Sequence, residues 1–223
     1  MVRKLNMQFV ESAHPIVDVT TKFGGQPIWL ARPAWPLSRS TGQPMMFIGQ
    51  IVLEPALFGL KGVRTAYLFI SPDDIDGPSW EALGGENAVI VQPGPDSPPT
   101  ALALSTGPAL YKMISDGRVR RPIPCEYAVV TTPGEDVEFV PEEMLALWSE
   151  DQRAACRSSL MGNKIGGTPG FLQYPEFPGH MTRLLVQIDS TSVPFEVDFG
   201  SSGIGYVFIS QDLSQARLIW QDT

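Results

Sequence analysis

Histidine is almost missing from this chain, with only His14 and His180 in 223 positions. A Ser- or Cys-based triad needs an imidazole base, yet His14 falls in an N-terminal stretch expected to be mobile and His180 in a Pro-Gly loop. No G-x-S-x-G frame accompanies them, and Gly200-Ser201-Ser202-Gly203 lacks the spacing of a nucleophile elbow. Both histidines therefore read as loop residues, and no residue is assigned a catalytic role. Cysteine is equally scarce. Cys125 and Cys156 have no C-x-x-C partner and no nearby histidine, which argues against a zinc motif or a disulfide scaffold and leaves two free thiols.

Long apolar runs are also lacking: none approaches the roughly 18–20 residues that cross a bilayer. The polar ESAH after MVRKLNMQFV denies that start the form of a secretory signal, so a soluble, cytoplasmic protein with no membrane partner is expected. Basic residues are outnumbered, 16 against 24 acids, for a net charge of −8. Such a field repels nucleic acid and attracts basic partners. No G-x-G-x-x-G or G-x-x-x-x-G-K-[ST] frame is present to cradle a cofactor phosphate, and no cofactor is expected. Asp189, Asp198 and Asp212 form no D-x-D-x-D loop and read as turn acids rather than metal ligands.

Proline and glycine, in contrast, are abundant at 21 residues each, which points to many turns and short strands. They concentrate in a phrase that occurs twice. TKFGGQPIWLARPAWP at 21–36 aligns without a gap on NKIGGTPGFLQYPEFP at 163–178, with seven of sixteen columns identical. Random pairing would match about one. Beyond the phrase, Leu184-Leu185-Val186-Gln187-Ile188 answers Met46-Phe47-Ile48-Gly49-Gln50-Ile51, and Gly205-Tyr206-Val207-Phe208-Ile209-Ser210 answers Ala66-Tyr67-Leu68-Phe69-Ile70-Ser71.

β-branched and apolar runs predict strands at 16–23, 45–53, 66–71, 88–92, 101–105 and 126–132, with an exposed edge strand at 135–140 where charge alternates with apolar groups. Pro141 to Met161 reads as one amphipathic helix lying against the sheet, with Pro141 at its start, Glu142 and Glu143 in its first turn and Gly162 as its stop. The expected fold is α+β, mainly β, in a single domain over 1–223. Two pseudo-repeated β units, about 16–75 and 163–215, share one core, with an inserted β region and the one helix in about 76–162.

Lys22-Phe23-Gly24-Gly25 with Pro27, Trp35-Pro36 and Gln50-Ile51 resembles the first signature of the YwqG-like family, a bacterial domain of unknown function. Asn163-Lys164-Ile165-Gly166-Gly167, Gln173 and Leu184 to Ser190 resemble its second. Where many members carry Trp-Gly-Asp-x-Gly before the last strand, this chain has Val197-Asp198-Phe199-Gly200. The resemblance implies a fold and no reaction. It also implies kinship with proteins of toxin loci that act as immunity proteins.

Two candidate sites follow from the residues. Stretches 72–86 and 134–151 hold twelve acids and no base. Asp73, Asp74, Asp76, Glu81, Glu86, Glu135, Asp136 and Glu138 are therefore candidates for an acidic face that meets a cognate toxin or another basic protein, unless they are merely solvated loop acids. Alternatively Lys22, Lys164, Gln50 and Gln187 line a ligand groove between the two units, or serve only to satisfy backbone near the glycine turns.

Overall fold

The computed structural model describes residues 1–72, 79–94 and 101–223. Its main element is one antiparallel sheet of ten strands. In chain order these are β1 (Val2–Glu11), β2 (Lys22–Gly24), β3 (Met46–Val52), β4 (Thr65–Ile70), β5 (Asn87–Gln92), β8 (Glu126–Asp136), β9 (Lys164–Gly166), β10 (Arg183–Asp189), β11 (Ile204–Ile209) and β12 (Ala216–Gln221). A separate ribbon pairs β6 (Tyr111–Ser115) with β7 (Arg120–Pro124). Across the sheet the order is β12-β11-β10-β9-β1-β8-β2-β3-β4-β5. The two halves of the chain thus flank a central β1–β8 pair, and β5 and β12 end the sheet, curling toward each other without a ladder between them.

Side-chain alternation sorts the sheet into an inner and an outer face. Ile48, Ile51, Leu68, Ile70, Leu185, Ile188, Val207 and Leu218 turn inward into one continuous core. On the outer face, Trp35, Phe47, Tyr67 and Phe69 cluster in the first half, and Leu184, Tyr206, Phe208 and Ile219 in the second. The pairing β3–β4 shifts register between Phe47 and Gly49, and β10–β11 between Leu184 and Val186. Each bulge re-aims the following glutamine outward.

Those outward glutamines hold the proline-rich segments that cover the outer face. Proline removes N–H donors and prevents these segments from joining the sheet, so side chains must satisfy the backbone that remains. Gln50 accepts from Ile28 N at 2.8 Å and donates to Thr20 O; Gln187 accepts from Gly170 N at 2.8 Å and donates to Leu160 O and Gly162 O. Tyr67 donates to Ile28 O and accepts from Leu30 N, and Tyr206 does the same with Gly170 O and Leu172 N. Burial pushes the Tyr67 phenol up to about 12 and raises that of Tyr206 as well. Gln92 and Gln221 complete each ladder on Ala31 and Arg32, and on Gln173 and Tyr174.

Several expectations need correction. The N-terminal stretch is not loose: Leu5, Met7 and Phe9 alternate into the core and make β1 a ten-residue central strand. Of 16–23 only the end forms a strand, and 101–105 contributes a single bridge, Trp35 to Leu102. Glu135 and Asp136 end β8 in the middle of the sheet, not at an edge. The expected helix is two: α2 (Glu142–Leu145) and α3 (Glu150–Ser159), after the short α1 (Pro55–Phe58). Ser149 starts α3 with a reciprocal capping box to Gln152, which breaks the run. Neither α2 nor α3 buries a residue, so they do not pack on the sheet as expected.

Replacing Gln187 by Leu strands the Gly170 N–H and the Gly162 carbonyl, while Leu160 O keeps Lys164, and should cost at least ~2 kcal/mol in urea unfolding. Replacing the exposed Gln8 by Leu should change stability by less than ~0.5 kcal/mol.

Candidate functional site

Lys22 and Lys164, the charged residues repeated in the phrase, are 1% and 0% exposed. A buried ammonium demands a partner and hydrogen bonds, and β8 supplies one at each end. Lys164 Nζ donates to Asp136 Oδ2 at 2.8 Å and to the carbonyls of Leu160 and Thr168. Lys22 Nζ donates to Glu126 and to Ile16 O. Asp136 also accepts from Lys4 Nζ at 2.6 Å and from Thr168 N. Burial pushes its carboxyl up, but Lys164, Lys4 and the Thr168 amide outweigh that and hold it below the ordinary carboxylate value.

The glycine pairs make room for these carboxylates. Gly25 has φ +62°, and a Cβ there would fall 2.3 Å from the Glu126 carboxylate. Gly167 has φ +80°, and its Cβ would fall 2.3 Å from Asp136 Oδ2. Both positive φ and close approach require glycine.

The four residues proposed to line one groove therefore do not converge. Lys22 and Lys164 reach different carboxylates, Glu126 and Asp136, which stand at opposite ends of β8, ten residues apart. All four are buried and fully engaged. The acidic candidates divide as well. Asp136 is a structural ion-pair partner. Glu86, 2% exposed, is no surface acid either: it accepts from the hydroxyls of Ser38 and Ser71 and from Ser40 N. Burial pushes the Glu86 carboxyl up, and these donors more than reverse it. Glu81, Glu135 and Glu138 are exposed, and Asp73, Asp74 and Asp76 lie outside the described residues.

Groups with chemical potential are otherwise occupied. His14 and His180 are exposed loop residues. Burial pushes the Cys125 thiol up to about 11, so it carries no thiolate at neutral pH. Asp189, Asp198 and Asp212 each bond backbone or hydroxyls in their own turns. Among the described residues no three His, Cys, Asp or Glu gather as a metal site would require. No described helix is long and apolar enough to cross a membrane.

Sequence reasoning missed an open cleft of about 740 Å³ along the seam between β5 and β12. Leu37, Met45 and Ile90 give it apolar walls, and Arg39, Arg217 and Asn87 give it polar groups. Its walls come from segments far apart in the chain, so no local signal marked it.

Replacing Asp136 by Asn should cost ~3–5 kcal/mol, because two lysines lose their counter-charge in the interior. The sign of the pH effect follows from the lowered carboxyl. The stability it contributes is complete above its unfolded value near ~3.9 and is lost as pH falls through the lower folded value. The gap between wild type and variant in chemical unfolding should therefore narrow in acid.

Compared with protein families, residues 21–218 match the one described as "Domain of unknown function (DUF1963)". No curated protein matches the chain. Since the match spans nearly all of the sheet, the twice-built lysine and glutamine frame included, the chain belongs to the DUF1963 family.

Proposed function

We propose that this chain is a non-enzymatic, partner-binding protein whose acidic face docks on a basic protein surface. The observation that carries this reading is the pair of helices beyond β8. Neither α2 nor α3 buries a residue, although short helices draw most of their stability from packing an apolar face. Glu135, Glu138, Glu142, Glu143, Glu150 and Asp151 are exposed there, and Met144 and Leu147 stand among them 51% and 78% exposed. A negative rim around exposed apolar side chains suits a contact that is steered by charge and completed by burial.

The resemblance to YwqG-like proteins makes the partner a cognate toxin, with the acidic face occluding a basic cleft such as that of a nuclease. The same reading treats the two halves as copies of one unit, each folding its own covering segment. Coexpression should then rescue cells from the product of a neighbouring toxin gene. Converting Glu142, Glu143, Glu150 and Asp151 to Lys should weaken the complex about ten-fold or more and flatten its salt dependence. The reading fails if no neighbouring product is neutralised and none binds in low salt. An affinity unchanged by the four substitutions would place the interface elsewhere.

A further inference from the structure

We propose that the cleft between β5 and β12 binds a small amphiphilic anion, an apolar body bearing one carboxylate or phosphate head. This inference stands apart from the acidic face and does not rest on it.

In a chain of net charge −8, the described residues lining this cleft include two arginines and no carboxylate. Arg217 is partly buried on β12, and its side chain makes no hydrogen bond or ion pair among the described residues. A guanidinium carries five donors in a planar fork and accepts nothing, so an unpaired one in a concave site favours an anion. Arg39 lays its stem along Gly85 and makes one long bond, 3.4 Å, to Gly84 O. The Glu86 carboxylate forms no ion pair with either arginine; its hydrogen bonds come from Ser38, Ser40 and Ser71.

Asn87 gives the cleft wall a polar group of the opposite kind. It is 6% exposed, and its amide N–H groups go to Ser79 O and Glu81 O. Those two acceptors fix the amide's orientation, and Oδ1 is left buried without a donor. An orphaned buried acceptor is rare and costs free energy. An anionic head brings it no donor, so a bound water or the O–H of a singly ionised phosphate head is what relieves it. The apolar walls from Leu37, Met45 and Ile90 suit an aliphatic body, and the volume is that of a small-molecule site.

The test uses the full ¹⁵N-labelled chain, titrated with decanoate, decyl phosphate and uncharged decanamide and followed by NMR. Saturable shifts of the Asn87 side-chain amide and of the Arg217 Nε–H are expected with at least one anion, and the stronger arm identifies the head group. Arg217→Gln and Arg39→Gln should each raise Kd about ten-fold or more, as loss of a charge-assisted bond does. Arg118→Gln, on the exposed β6–β7 turn, should leave it unchanged. Thermal unfolding of each variant checks that the fold persists, and having two arginine variants keeps the test decisive if one is unstable. The proposal is overturned by the absence of a saturable shift, by decanamide binding as tightly as the anions, or by Arg118→Gln weakening binding equally.

Discussion

Two ammonium groups buried against a single strand constrain the rest of this molecule. Removing a lysine from water is expensive, and a carboxylate within hydrogen-bond reach must offset it. β8 provides Glu126 for Lys22 and Asp136 for Lys164. Other choices follow from that need. Gly25 and Gly167 must lack a Cβ because the carboxylates occupy that space. Because the turns send proline-rich chain across the outer face, Gln50, Tyr67 and Gln92, and in the second half Gln187, Tyr206 and Gln221, must satisfy the backbone there. β8 thereby fastens both halves, although it comes from the stretch between them.

The same chemistry explains what could be read from the sequence. Strands β3, β4 and β5 are dense apolar runs in which inner and outer faces are both covered, and they announce themselves. β1 does not, because Leu5, Met7 and Phe9 alternate with Lys4, Asn6 and Gln8 next to a charged start that resembles a tail. The break between α2 and α3 was legible in Ser149-x-x-Gln152, a signal outweighed by the surrounding helix formers. Asp136 and Glu86 were misjudged for a different reason. A count of local charge cannot tell a solvated acid from one held by Lys164 across 28 positions or by Ser38 across 48. Long-range pairing decides that, and spacing carries no trace of it.

Sorting the acids this way sharpens the functional reading. Of the exposed acids, Glu142, Glu143, Glu150 and Asp151 lie beyond the Asp136 end of β8, on helices without a buried residue. Positive charge is exposed at Arg118, Arg120 and Arg121 on the β6–β7 ribbon, which leads into the other end of β8.

The central claim is that the repeated lysines are fastenings of the fold and not parts of a site. A double-mutant cycle on Lys164 and Asp136, using Lys164→Met and Asp136→Asn singly and together in urea unfolding, tests it most directly. A coupling energy of about 1–3 kcal/mol is expected for a buried, hydrogen-bonded pair. Additive losses, with coupling below about 0.5 kcal/mol, would contradict it.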